Sequence, residues 1–372
     1  MKILVAGDFC PQDRLLPKLS VKDFEILGKV LKTKIKEADF SIVNFECPIV
    51  NKADEPIAKI GPNLFGYKNS ALLIKAMGFD VVTLANNHFR DYGEKGVECT
   101  LETFRNIGIH TVGGGADLKE ARKMLRLENE KKSLTIINSC EHEFSIATEK
   151  HGGANPLDLV NLYEDIQNAK KNSQYILVIL HGGVEHYSLP TPRMKKLFRH
   201  IIDLGADAVV NHHQHCYSGY EIYRNKPIFY GLGNFCFDRK SERNKPWNFG
   251  YAVELLFDNQ ISFNIFPYEQ FNGEPFIKDI SFENIKSDIA RLNNITANDC
   301  KLKEAFEEYV NTNRRNLLIK ILPFSNRWFK AFYRRGYLGD WLSRKKIIEL
   351  HNLTNCESHL ETYQYLFNLL MK

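Results

Sequence analysis

Five places along the chain put Asp, Glu, Asn or His directly after a run of aliphatic and β-branched residues. Ile3–Ala6 leads into Gly7-Asp8, Phe40–Val43 into Asn44-Phe45-Glu46, and Val81–Leu84 into Asn86-Asn87-His88. Further on, Tyr175–Leu180 leads into His181-Gly182-Gly183, and Ala208–Val210 into Asn211-His212-His213-Gln214-His215. Such runs read as buried strands, and in open α/β sheets binding sites form beyond the carboxyl ends of strands. Taken singly, Asp8 reads as a helix N-cap, Glu46 as a loop acid and Asn86-Asn87-His88 as a turn. His181 has no such structural excuse, because it ends a buried strand. His213 and His215 have the spacing that sets two imidazoles on one side of an extended segment. Together Asp8, Glu46, Asn87, His181, His213 and His215 form a metal-ligating constellation. Carboxylate, amide oxygen and imidazole suit Mn²⁺, Fe²⁺ or Zn²⁺, and they are not the thiolate cage of a structural zinc. Glu46 has two oxygens with which to bridge a pair of ions about 3.5–4 Å apart, so one or two ions are expected. The chemistry of such a site is hydrolysis by an activated water.

The elements that must carry these side chains alternate. Besides the five runs, Leu134–Ile137 and Pro227–Tyr230 read as strands. Segments of helical period lie between them at Phe24–Ala38, Ser70–Gly78, Val97–Gly108, Leu157–Asn172 and Arg193–Gly205. Alternating β and α units predict a layered α/β domain with helices over the faces of its sheets. Tyr251–Phe257 and Ile261–Phe266 alternate around Asp258-Asn259 and predict a closing hairpin. Beyond residue 272 no strand-like run recurs, and Asn284–Leu292, Lys301–Ile321 and Ser343–Leu370 read as helical. The expected division is a catalytic-type domain over 1–270 and a helical, basic region over 271–372.

With 372 residues, 44% hydrophobic and 26% charged, the chain can bury an ordinary globular core. No run reaches the ~18–20 apolar residues of a membrane span. The apolar start ends at Gly7-Asp8 with no small-residue cleavage site, so a cytoplasmic protein is expected. The eight cysteines are scattered without a CxxC pair and read as reduced core thiols. Net charge is +5, but residues 311–346 hold ten basic side chains against one acid, Asp340, a local +9 that leaves about −4 elsewhere. Trp328, Phe329, Phe332, Tyr333, Tyr337 and Trp341 interleave with those basic residues.

Ala85-Asn86-Asn87-His88, His181-Gly-Gly-Val-Glu185, the stretch from Gly205 to His215, and Lys226-Pro-Ile-Phe-Tyr-Gly-Leu-Gly-Asn-Phe235 resemble the CapA-type poly-γ-glutamate capsule-synthesis family. That family is similar to a branch of the calcineurin-like metallophosphatases, and the likeness covers residues 1 to about 268. It implies a four-layer α/β/β/α sandwich with ligands at strand ends, here followed by a C-terminal helical appendage. Through the resemblance Asp8 matches the first-motif aspartate, Glu46 the bridging carboxylate, and Asn87 the ligating asparagine. His181 matches the lone ligand histidine, and His213 and His215 the closing pair. His88 matches the general acid facing the leaving group. Glu185 joins it as a catalytic candidate, Asn86 and Asn234 are candidates for lining the substrate pocket, and His212 is a neighbour rather than a ligand. The wider phosphatase pattern begins Asp-x-His where this chain has Asp8-Phe9-Cys10, so one ion lacks a histidine unless Cys10 substitutes.

These readings converge on a metal-dependent hydrolase of a phosphoester or an amide/γ-glutamyl bond in a capsule or envelope polymer or its precursor. The alternative is a non-catalytic assembly factor that keeps the site to bind an anionic polymer or a membrane. Residues 311–346 are expected to meet an anionic polymer or the inner face of an anionic membrane, with packed structure as the alternative. Nucleic acid is the least favoured partner.

Overall fold

Strands whose successive residues face opposite ways need apolar cover on both sides, and that requirement organises this computed structural model. It describes residues 1–16, 26–321, 326–339, 342–355 and 367, and divides into two compact units, Met1–Lys303 and Glu304–Lys372. The first unit begins β1 (Lys2–Phe9), α1 (Lys29–Glu37), β2 (Phe40–Phe45), α2 (Lys68–Met77), β3 (Val81–Thr83), α3 (Gly93–Ile107) and β4 (His110–Val112). It continues through β5 (Gly114–Gly115), α4 (Leu118–Ala121), β6 (Leu125–Glu128), β7 (Ser133–Cys140), β8 (Gly153–Ala154), α5 (Leu159–Asn172), β9 (Tyr175–His181) and α6 (Pro192–Leu204). It ends with β10 (Ala208–His212), β11 (Tyr220–Tyr223), β12 (Lys226–Phe229), β13 (Asn234–Cys236), β14 (Phe249–Leu256), β15 (Ser262–Gln270), β16 (Ile277–Asp279) and α7 (Glu283–Ala297).

Two sheets result. The first has the order β16-β15-β14-β1-β2-β3-β4 with β13 also on β1, and its β1–β4 core is parallel. The second has the order β11-β12-β10-β9-β7-β6, parallel through its centre and antiparallel at both edges. Ile3, Val5, Ile42 and Val81 of the first sheet pack on Leu134, Ile136, Leu177, Ile179 and Val210 of the second. The alternate residues Leu4, Ala6, Val43 and Val82 face the other way, onto Leu31 and Ile35 of α1, Ile74 of α2 and Phe104 of α3. Likewise Ile176, Val178, Leu180 and Val209 meet Leu162 and Ile166 of α5 and Phe198 and Ile201 of α6. The chain is therefore the α/β/β/α sandwich that the resemblance implied.

The predicted hairpin around Asp258-Asn259 is present, with Leu256 opposite Ser262. The expected boundary at 270 lies inside the first unit. β16 pairs with β15, and α7 puts Ile285 and Ile289 into the core between the sheets. Three residues of β16 are too few to show an alternation, so this strand left no sequence signal.

The second unit includes most of α8 (Asp299–Thr312), then α9 (Arg314–Ile321), α10 (Arg327–Arg334) and α11 (Arg344–Asn355). Its small core is Ile319 and Tyr333, with Leu318, Leu338 and Leu342 against them. Trp341, Asp340 and the helix predicted beyond residue 355 (Phe367 apart) lie outside the described residues. Among the described residues no helix is long and apolar enough to cross a membrane.

Candidate metal centre

The carboxyl ends of the parallel strands of both sheets converge. Asp8 is the penultimate residue of β1, Glu46 follows β2 and Asn87 follows β3, while His181 ends β9 and His213 and His215 follow β10. Close backbone approach makes this convergence possible. A Cβ on Gly7 would lie 1.9 Å from the Gly233 carbonyl oxygen, so only glycine lets β1 pass and lets the Asp8 N–H donate to that same oxygen at 3.1 Å.

Asp8 is fully buried. Its Oδ1 accepts from the Asn44 side chain at 2.8 Å and lies 3.1 Å from His212 Nδ1. Its Oδ2 accepts the His213 backbone N–H at 3.3 Å and lies 3.7 Å from His215 Nδ1. Burial raises this carboxyl, but His212, His215 and Asn44 more than offset it, and Asp8 is held below its ordinary value. Glu46 is the opposite case. It is fully buried, neither carboxylate oxygen receives a hydrogen bond, and Oε1 stands 3.7 Å from His181 Nε2 and 3.6 Å from His215 Nε2. Burial, with Asp8 and Cys10 adding to it, pushes its carboxyl well above the usual range. A buried carboxylate with no donor is costly unless a cation completes it.

The ligand atoms fall into two groups that share this residue. One ligand atom each from Asp8, Glu46 and His215 lie within 4.8 Å of one another, and so do those of Glu46, His181 and His213. Asn87 Oδ1 joins the second group, 3.0 Å from His181 Nε2, which is itself 3.0 Å from His213 Nδ1. Burial and then the neighbouring His213, His212, His215 and His88 push His181 well below the imidazole range. Burial likewise lowers His215 to about 4, against the pull of Asp8 and Glu185. Imidazoles held neutral in this way keep a lone pair for a metal. The donor set therefore fits a divalent cation, and the orphaned Glu46 oxygens fit a bridge between two.

Two expectations need correction, and the open question of Cys10 receives an answer. The His213-x-His215 pair does not lie on an extended segment, because β10 ends at His212 and both histidines have positive φ, +91° and +57°. Left-handed backbone at non-glycine residues costs of order 1–3 kcal/mol each and is found where structure around a site enforces it. Here it sends the two rings to different ligand groups. Asn86 and Asn234 do not open onto a pocket. Asn86 is fully buried, donating to the Phe45 carbonyl at 2.9 Å and accepting from the His88 N–H at 3.1 Å. Asn234 Oδ1 is 3.0 Å from His215 Nδ1, and its amide nitrogen donates to the carbonyls of His215 and Trp247. Both position the residues beside them. Cys10 is gathered into neither ligand group. Its thiol meets Gln12 at 3.3 Å and interacts with Cys47, and burial pushes it well up.

His88 stands beside the ligands with Nδ1 2.7 Å from Asp91 Oδ2 and 3.0 Å from Lys59 Nζ, and Lys59 also pairs with Asp91. Burial lowers its pKa, opposed by Asp91. Glu185 reaches solvent, but the protein packed around its carboxyl raises it; His215, His213, His186 and His88 outweigh that and hold it below its ordinary value. Sequence reasoning passed over Asn44, Asp91 and Lys59. Asn44 stands two residues before Glu46, and Asp91 has the His-x-x-Asp spacing that brings it back to His88. Lys59 carries no signal at all, lying in a mostly exposed stretch from which its side chain turns inward, 3% exposed.

The model of the bacterial capsule synthesis protein family PGA_cap matches residues 2–239, a span that holds every ligand described above. The chain belongs to this family. It is 31% identical over 219 residues to the capsule biosynthesis protein CapA of Bacillus anthracis, covering 57% of this chain and 53% of that one. It is 32% identical over 214 residues to the PGA biosynthesis protein CapA of Bacillus subtilis, covering 56% of each. The chain thus matches about half the length of these family members. Among solved structures, a novel phosphatase from Mycoplasma pneumoniae is 15% identical with a TM-score of 0.41, covering 78% of this chain and 98% of that one.

Proposed function

We propose that this capsule-synthesis family member is a divalent-metal-dependent hydrolase acting on a phosphoester or an amide/γ-glutamyl bond of an anionic capsule or envelope polymer or its precursor. The observation that carries the reading is the buried Glu46 carboxylate, without a donor and shared by two clusters of ligand side chains. Asp8, Glu46 and His215 would hold one ion, and Glu46, Asn87, His181 and His213 the other. Mn²⁺, Fe²⁺ or Zn²⁺ bound there would acidify a water and draw charge from the attacked phosphoryl or carbonyl oxygen.

The remaining work belongs to the chain's own groups. Asn44 and His212 fix the Asp8 carboxylate from one side, leaving its Oδ2 toward the His213–His215 loop. Asn234 fixes the His215 ring. Asp91 holds Nδ1 of His88 and favours the imidazolium form against the burial that lowers its pKa; in that form Nε2 would give its proton to the departing oxygen or nitrogen and leave the ring neutral. Glu185, whose carboxyl is held below its ordinary value, would accept a hydrogen bond from a substrate hydroxyl, amide or ammonium group.

The test is turnover. Protein supplied with each of the three metals is assayed on bis-nitrophenyl phosphate, a nitrophenyl phosphomonoester and γ-glutamyl nitroanilide, beside a His181→Ala control. Metal-dependent turnover that the control lacks supports the proposal. Metal binding without turnover of any of these, or of poly-γ-glutamate, would instead make the chain a non-catalytic assembly factor.

A further inference from the structure

The second compact unit carries a surface that the metal centre does not use. At 100° per residue, the side chains of α10, Arg-Trp-Phe-Lys-Ala-Phe-Tyr-Arg, form three stripes. Phe329 and Tyr333 share the first, and Tyr333 is buried against Ile319. The Arg315 guanidinium lies 5.8 Å from the Tyr333 ring and donates to its carbonyl at 3.0 Å. Trp328 and Phe332 form the second stripe and face outward, 66% and 49% exposed. Tyr337, 71% exposed, extends it, with its ring centroid 5.9 Å from that of Phe332. Arg327 and Arg334 form the third, and Arg327 lies 5.4 Å from the Trp328 ring. Asn326 fixes the start of the helix by accepting from the Trp328 N–H at 2.8 Å.

A helix that only needed solubility would not hold two large rings in water beside a third. Arg314, Lys320, Lys330, Arg335, Arg344, Lys345 and Lys346 belong to the same unit, so the partner that matches it is anionic. A soluble polyanion would satisfy the charges but leave the aromatic ridge in water. The boundary of a bilayer satisfies both, with rings at the acyl edge and guanidinium groups at lipid phosphates. We propose that α10 and the turn after it, residues 326–339, are a docking surface for an anionic lipid bilayer, with Trp328, Phe332 and Tyr337 entering the headgroup boundary. This stands apart from the hydrolytic reading, since none of its residues lies in the metal centre.

The experiment is co-sedimentation of the full chain with vesicles of phosphatidylcholine alone and of phosphatidylcholine with phosphatidylglycerol, at low and high salt. Binding is expected only to the anionic vesicles and should fall as salt rises. Trp328→Ala with Phe332→Ala leaves the charge unchanged and should weaken binding about tenfold or more. Arg327→Gln, Arg334→Gln and Arg335→Gln together should weaken it about a hundredfold. Brominated lipid should quench tryptophan emission in the wild type and less in Trp328→Phe, and an unchanged far-ultraviolet circular dichroism spectrum and melting profile show that each variant keeps its helices. The proposal is overturned if the chain ignores anionic vesicles, if it binds soluble poly-γ-glutamate but no vesicle, or if the Trp328/Phe332 variant binds as well as the wild type.

Discussion

Replacing Glu46 by Gln separates the cost of the metal centre from its use. The substitution keeps shape and removes the charge from a fully buried side chain whose two oxygens lack donors. An unsatisfied buried group of this kind costs about 1–3 kcal/mol, and more when charged. Metal-free Glu46→Gln protein should therefore be more stable than metal-free wild type by that order, roughly 2–4 °C in melting temperature per kcal/mol. The gain has a direction in pH. The ordinary glutamate value is 4.5 and the folded value is raised, so the metal-free wild type keeps full stability below 4.5 and loses it as pH climbs through the folded value. The advantage of Glu46→Gln should therefore be small in acid and grow toward neutral pH. Metal reverses the order, because an ion at about a hundred times its dissociation constant adds about 2.7 kcal/mol to the wild type. Glu46→Gln, with its bridge gone, should gain much less. Calorimetric melts with chelator and with Mn²⁺ or Zn²⁺, from acid to neutral pH, measure all of this. A metal-free Glu46→Gln protein that melts below the wild type at neutral pH would refute the account of Glu46 as an uncompensated carboxylate.

Other expectations follow from the same geometry. His213→Ala and His215→Ala remove ligands from different groups, so elemental analysis should find each depleted in one ion rather than both; loss of both ions from either would mean the groups are not separable. His88→Ala should keep its metal and lose about 10²–10⁴ in rate, less with nitrophenolate leaving groups, whereas loss of metal would make His88 a ligand. Cys10→Ser should leave metal occupancy unchanged, since its thiol faces Cys47 and Gln12; a drop in occupancy would return Cys10 to the ligand set. Gly7→Ala should lower both stability and metal content, because the added methyl meets the Gly233 carbonyl, and a variant as stable as the wild type would contradict that close approach.

The sandwich was legible because each buried strand is a dense apolar run followed by a polar residue with no business in a core. Asp8, Glu46, Asn87, His181, His213 and His215 announce themselves that way, and the fold brings all six together. What hid was whatever depends on tertiary approach. Asn86 and Asn234 enter as pocket candidates only through the family motifs that contain them, yet main-chain and imidazole groups use their amides. Lys59 could not be found, because no periodicity marks an exposed segment that turns one side chain inward. The His213–His215 geometry was misread for a related reason: spacing by two implies a shared face only while the strand lasts, and here it ends one residue early.

The ligands are divided between the sheets. Asp8, Glu46 and Asn87 come from the first, and His181, His213 and His215 from the second, so chain segments as far apart as Asp8 and His213 meet there. Neither sheet alone offers a complete coordination sphere, and the effective concentration of one half-site for the other is set by the apolar seam between them. Ion uptake then reports on sheet docking rather than on either sheet's formation. A cavity made deep in that seam, at Ile136 or Leu177 for instance, would loosen the alignment and weaken metal binding without touching a ligand.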